Sequence, residues 1–257
     1  MAPIVSSLHK LPLATVLWRW KPQLLELALI IGAYLLYVLT RGLVFSDTDQ
    51  TALVNAQRVV DAERSLGIFW EPGWQAWALD NSLVLVRFLN WAYIITYWPI
   101  VLTLVLVVFI IERPLYYYYR TVVIINLAFA LVVFMLFPVA SPFDLLDFVD
   151  TIQTYGPTFY GSPEMAAYYN TNAAMPSLHF SWTVILGVLF LRQLRGWLKL
   201  LGLAYPVMTF FAITITGNHF VLDAIAGGIL AGMAFAVMEL WARRLFLLRR
   251  QPGSPGP

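Results

Sequence analysis

The sequence predicts an all-α, polytopic membrane protein with six transmembrane helices and an amphipathic helix on its outer surface. Three observations carry that expectation. Of the 257 residues, 60% are hydrophobic, and the mean hydropathy is +0.74. Only 12% are charged, against about 25% in a soluble domain. Apolar runs close to the roughly 20 residues that cross a bilayer recur at 23–40, 83–110, 121–139, 178–194, 198–216 and 219–241. The chain reads as a single membrane domain over 1–257, with a disordered tail at 251–257.

Each element follows in order. The first span comes after a proline-broken stretch, MAPIVSSLHKLPLATVLWRWKP, which lacks the pattern of a cleavable signal. The third span starts after YYYYR (116–120), a run expected to form an aromatic belt at the membrane interface. The fourth is short and opens on MPSLHFSW (175–182). Only the tight turn Thr216-Gly217-Asn218 separates the fifth from the sixth. In the sixth, Gly228 and Gly232 form a G-x-x-x-G one turn after Ala224, a face suited to close helix packing.

Charge placement sets the expected orientation. Twelve of the 16 Lys and Arg fall on one side, among them Lys10, Arg113, Arg120, Arg192 and Arg243. That side is expected to be cytoplasmic, with both termini, in the cell membrane. The other side holds Arg41, Arg58, Arg64 and Arg87 together with 11 of the 14 acids. A net charge of +2 is too small to suggest a nucleic-acid partner, and the absence of cysteine excludes disulfides and thiolate sites. No metal-ligand cluster is evident.

Two outer segments stand out. In residues 47–80, Ala52, Leu53, Ala56, Val59, Val60 and Leu66 share one helical face, and Trp70, Trp74 and Trp77 follow. The segment reads as a helix lying on the outer membrane surface, as an anchor or as a lid over a lipid entrance. Residues 140–175 form a loop rich in Pro, Gly, Tyr and Asp. Its Tyr155, Tyr160, Tyr168 and Tyr169 are read as interfacial padding, and Glu26 and Glu239 as interfacial groups at cytoplasmic span ends.

The candidate chemistry lies in two histidines. His179 starts the fourth span at the outer face, and His219 starts the sixth, 40 residues later. A helical hairpin of that length returns the chain to the face it left, so both rings meet the outer boundary. Asp223 follows His219 by four residues and shares its helix face. A carboxylate accepting the Nδ1 proton would leave Nε2 as nucleophile or base; the rival is a histidine that merely caps its helix. Ser177 and Asn218 suit N-caps of the two spans. Two helix N-termini aimed at one place would cradle an anion. Together these features suggest phosphoryl transfer on a lipid.

AMPSLHFSW (174–182) and TGNHFVLDAIAGG (216–228) resemble the second and third signature motifs of the type 2 phosphatidic acid phosphatase superfamily. The H-x-x-x-D in NHFVLDAIAG is closest to the branch of inositolphosphotransferase-like proteins and inositol phosphorylceramide synthase. LFPVASP (136–142) and the stretch 59–93 are similar to elements of that branch, and the resemblance spans about 45–235. It implies that His219 attacks phosphorus to form a phosphohistidine, that Asp223 orients it, and that His179 protonates the leaving alcohol and then activates the acceptor. Water as acceptor makes a phosphatase, and an alcohol makes a transferase. The mechanism that the resemblance implies uses neither metal nor cofactor, which fits the lack of a metal-ligand cluster.

The sequence departs from the wider family in its cations. Ile213 stands where the broad pattern has an arginine, and no Lys or Arg occurs between Arg120 and Arg192. Arg113 and Arg120 have the spacing of the first signature motif but fall on the cytoplasmic side. Arg87 is the remaining candidate for the phosphate; snorkelling to the interface is its other reading. The shortage favours a phosphodiester or zwitterionic lipid over a dianionic monoester. A polyprenyl or glycerolipid phosphate phosphatase, and a non-catalytic lipid-binding protein of the same fold, are the rival readings.

Overall fold

The structure is a computed structural model that describes residues 13–44, 49–145, 148–157 and 173–249. Tyr160, Tyr168 and Tyr169 of the outer loop, Lys10, and the tail 251–257 lie outside the described residues. The described elements are helical, apart from one isolated bridge between Val139 and Ala173. The chain divides into two units, Met1–Leu43 and Val44–Pro257. The described residues of the first belong to α1 (Leu13–Val44), which covers the expected first span and exposes Leu24, Leu27, Ile31 and Leu35.

The second unit holds α2 (Asp49–Leu66), α3 (Glu71–Asn81), α4 (Leu83–Thr96), α5 (Trp98–Ile111), α6 (Arg113–Leu136), α7 (Thr151–Tyr155), α8 (Leu178–Gln193), α9 (Leu201–Ile215) and α10 (Val221–Arg249). Four described segments are long and apolar enough to cross a membrane: Leu83–Ile111, Arg113–Leu136, Gly196–Ile215 and Val221–Arg244. Their exposed faces carry Leu106, Ile110, Leu136 and Ile229. Apolar surface on that scale suits lipid rather than water, so the chain is a membrane protein. α8 is apolar but only 16 residues long, about 24 Å at the α-helical rise.

The expected span at 83–110 is two helices. Pro99 lacks an N–H and restricts the residue before it, and the chain breaks at Tyr97 (φ −93°, ψ −102°). The Tyr205 hydroxyl, from α9, donates to the Thr96 carbonyl at this helix end. The third span begins earlier than expected, since α6 follows α5 after Glu112 alone. YYYYR is therefore inside a helix. Tyr116 and Tyr119 are buried, the Tyr119 ring meets Phe235 edge-on, and Tyr118 donates to Glu239 at 2.7 Å. Those three tyrosines pack α6 against α10 and α5 rather than forming a belt.

Small residues set the helix approaches, though not those the G-x-x-x-G suggested. A Cβ on Gly232 would meet nothing within 4 Å, and one on Gly228 only a phenylalanine ring edge at 3.5 Å. A Cβ on Gly227 would lie 2.4 Å from the Ser177 carbonyl oxygen. Ala224, Gly227 and Ala231 thus form the close face of α10, with both alanines buried. A reciprocal contact joins α8 and α9, where a Cβ on Gly187 or Gly202 would strike the carbonyl of the other at 2.5 or 2.6 Å.

α2 also differs from its expected role. Ala52, Ala56, Val59 and Val60 are buried in a core with Val139, Ala140, Phe148, Ala174 and Phe220. Leu53 and Leu66 are exposed. The apolar face of α2 is covered by protein because the loop after α6 and the start of α10 lie against it. Asn55 donates to the Pro138 carbonyl at 2.8 Å, and Ala140 N to the Ala52 carbonyl at 3.1 Å.

Candidate active site

The site grows out of three chain breaks that fall at one end of the second unit. The first is the turn between α9 and α10. Gly217 adopts φ +78° there, which lets the Asn218 and His219 amides fold back onto the Ile213 carbonyl at 3.1 and 3.0 Å. The second is the segment before α8, where Ser177 is a buried N-cap. Its hydroxyl accepts from Phe180 N at 3.2 Å, and its own amide donates to the Asp223 carbonyl at 3.0 Å. The third is the loop after α6, whose Phe143 amide donates to the Gly217 carbonyl at 3.0 Å. Gln75 on α3 ties the outer pieces together. Its amide nitrogen donates to the Val149 and Ile215 carbonyls, and its oxygen accepts from Val149 N.

His219 is held by its Nδ1. That atom lies 2.9 Å from the Ala174 carbonyl oxygen and 3.4 Å from Asp223 Oδ2. A carbonyl only accepts, so Nδ1 carries a proton, and in the neutral ring Nε2 is the nitrogen with the open lone pair. The sequence assigns the orienting role to Asp223. Here the backbone carbonyl makes the shorter contact, and Asp223 Oδ2 also accepts from Phe220 N at 2.9 Å. The carboxylate therefore braces the ring and the helix start together.

His179 is buried in the first turn of α8. Its ring lies between Tyr93 and Tyr97, 4.5 Å from each centroid and stacked at 23° on the latter. Its Nε2 meets the Thr96 hydroxyl at 3.2 Å. The two histidines are within electrostatic range of each other. Tyr93, Thr96 and Tyr97 went unnoticed in the sequence. Their signal was a polar stripe on an apolar helix: Asn90, Tyr93 and Tyr97 recur at i, i+3 and i+7.

The expected phosphate cradle is different in form. Asn218 does not cap α10; its Nδ2 donates to Thr216 Oγ1 at 2.8 Å. The first amides of that helix are taken by carboxylates. Phe220 N donates to Asp223, Val221 N to Glu71, and Leu222 N to Glu63 at 2.7 Å. An anion would find that helix start already occupied, so it cannot share the cradle with α8. Burial pushes the Glu63 carboxyl up to about 9, and the neighbouring Glu71 and Asp223 charges add to the shift. Burial also raises Glu71. Sequence reasoning missed both glutamates because an acid on an outer helix reads as solvated.

Arg87 is not brought to this site. Its side chain is exposed, and no described hydrogen bond or ion pair links it to either histidine. It precedes Thr96 by nine residues on α4, about 13 Å along the axis. The break at Tyr97, rather than the outer end of α4, is what meets His179. Arg113 and Arg120 lie toward the start of α6, whereas the loop at the site follows its end; they stack on Phe109 and Tyr117. Among the described residues, no group of three or more His, Asp or Glu is arranged to hold a metal ion.

The chain is thus a helical membrane protein in which His179 lies in the first turn of a Ser177-capped helix and His219 is braced by Asp223. A family model of the PAP2 superfamily matches residues 57–237, and the chain belongs to that superfamily. Membership suggests a phosphatase-type activity. No curated protein and no solved structure matches the chain.

Proposed function

We propose that this protein is a lipid phosphatase or phosphotransferase that works through a phosphohistidine at the extracytoplasmic face of the cell membrane, with six spans and cytoplasmic termini. The carrying observation is the state of His219: Nδ1 is committed to Ala174 and Asp223, which leaves Nε2 as a nucleophile. Its place in the PAP2 superfamily points the same way. α1 and α8 supply the two crossings beyond the four longer apolar segments.

In the proposed sequence, the Nε2 lone pair of His219 attacks phosphorus in line as the bond to the leaving alcohol breaks. A protonated His179 delivers its proton to that oxygen. The imidazolium left on His219 is stabilised by the Ala174 carbonyl and Asp223. His179, now neutral, takes a proton from water or an acceptor alcohol, whose oxygen displaces His219 from phosphorus. Thr96 and the two tyrosine rings hold His179 in place for both transfers. Ser177 and Asn218 are the proposed polar contacts for the phosphate; Asn218 keeps one amide N–H beyond the one given to Thr216. Arg87 is the sequence's cation candidate, and from its exposed position it meets a head group only away from the histidines.

The substrate class follows from charge. With α10's amides taken by carboxylates and no Lys or Arg between Arg120 and Arg192, a singly charged phosphodiester fits better than a dianionic monoester. The test is to give the purified protein labelled phospholipids with and without alcohol acceptors, beside His219→Ala and His179→Ala. A new lipid product marks a transferase, and free phosphate a phosphatase. Much faster hydrolysis of phosphatidic acid than of any diester-linked lipid would sink the substrate assignment.

A further inference from the structure

Glu63 on α2 and Glu71 on α3 are both 0% exposed. Each gives one oxygen, Oε1, to an amide of α10: Glu71 to Val221 and Glu63 to Leu222. The second oxygen of each is buried and finds no donor in the described structure if both groups are ionised. Yet the two carboxyls accept from adjacent amides of α10, Val221 and Leu222, which sets them side by side. Two carboxylates cannot bond without a proton, and one proton between them satisfies both orphaned oxygens.

We propose that Glu63 and Glu71 are positioning residues for His219: they share one proton and together clamp the first amides of α10, fixing the helix start from which the ring projects. The inference deepens the functional reading above and rests on it for what the clamp serves. The clamp acts through α10, because His219 sits two residues before Val221 and its own brace, Asp223, sits two after. Each acid supplies an acceptor to the positive end of the helix, while the shared proton limits the repulsion among three carboxyl groups.

Among the described residues, Asp223 faces the pair from α10, with His219 behind. On α2, Arg64 lies over the Phe69 ring, Arg58 donates to Asn55, and Asp61 accepts from Gln57. Asp80 of α3 is exposed. The loop after α6 contributes Val139, Ala140 and Phe148 to the adjoining core; its Asp144 is exposed, and Asp150 caps α7 by accepting from Gln153 N.

The proton gives the clamp a pH signature. Glu63 titrates at about 9 in the fold against an ordinary value of 4.5, so the folded state holds a proton the unfolded chain has released. The stability tied to that proton is complete below pH 4.5 and is lost as pH climbs toward about 9. A Glu63→Gln side chain keeps an acceptor for Leu222 N and a donor for Glu71 at every pH.

The experiment compares wild type, Glu63→Gln and Glu63→Ala in detergent, without substrate. It reads the thermal midpoint from pH 5 to pH 9.5, and the rate at which diethyl pyrocarbonate modifies His219 by peptide mass. We expect the wild-type midpoint to fall across that range, and that of Glu63→Gln to fall by less than half as much. Modification of His219 in Glu63→Gln should stay within about twofold of wild type at pH 7. Glu63→Ala should change that rate more than fivefold or fail to fold. Parallel pH curves for wild type and Glu63→Gln overturn the shared proton; an unchanged His219 rate in folded Glu63→Ala overturns the positioning role. Neither readout needs turnover, so a protein that fails to process any phospholipid would refute the functional reading and leave this comparison intact.

Discussion

The Nδ1 of His219 lies 2.9 Å from the carbonyl oxygen of Ala174, 45 residues earlier in the chain. That contact crosses from the start of α10 to the segment leading into α8, and it fixes which ring nitrogen is open. It is reinforced one residue-pair away: the Ser177 amide donates to the Asp223 carbonyl at 3.0 Å, and the Ser177 carbonyl fills the space beside Gly227. The two histidine-bearing segments are thus joined through backbone, which makes the geometry hard to alter by side-chain changes alone.

Gly227 is the tightest point of that junction. Gly227→Ala should cost about 1–3 kcal/mol, because the added methyl would meet a backbone carbonyl that has little room to yield. Gly232→Ala, facing open space, should stay within about 0.5 kcal/mol. Thermal midpoints of the two variants in the same detergent check the ordering; equal losses would show that the original G-x-x-x-G carries the packing.

Thr96 tests the role of the α4–α5 break. Thr96→Val keeps the shape but removes the hydroxyl beside His179 Nε2. It should lower kcat by about tenfold, less than the roughly hundredfold or more of a whole general acid–base contribution because the imidazole itself remains, with KM changed by less than twofold. A rise in KM at constant kcat would move Thr96 from positioning His179 to substrate binding.

Arg87 should matter little to chemistry. Arg87→Ala is expected to leave kcat within about threefold, since the side chain is exposed and about 13 Å along α4 from Thr96. Steady-state assays over several lipid head groups check this. A loss in kcat of a hundredfold or more would place the arginine on the transferring phosphate.

The sequence made the helical class legible because hydropathy and length are averages over 20 residues and tolerate local irregularity. The pairing of His179 with His219 was legible because topology requires it: a hairpin of that length must return to its starting side. What escaped were features that depend on where a chain breaks. Pro99 signalled a break in the second long run, but only the fold shows that the break carries Thr96 and Tyr97 to His179. The α2 face was legible as amphipathic, whereas its partner was not, since lipid and a buried loop demand the same apolar stripe. Glu63 and Glu71 were invisible for a related reason. Nothing local distinguishes a solvated acid from one that accepts an amide 150 residues away.

If His219 is the nucleophile, a phosphoryl adduct forms on it during turnover and can be trapped. A lipid substrate labelled in its phosphorus is mixed with the protein, the reaction is quenched in alkali, and the peptide spanning 216–228 is read for an acid-labile phosphoryl adduct. Label is expected on His219 and none in His219→Ala, with phosphate release reduced by at least about a thousandfold in that variant, on the scale of losing a covalent nucleophile. Label on another residue, or turnover by His219→Ala at the wild-type rate, would contradict that role.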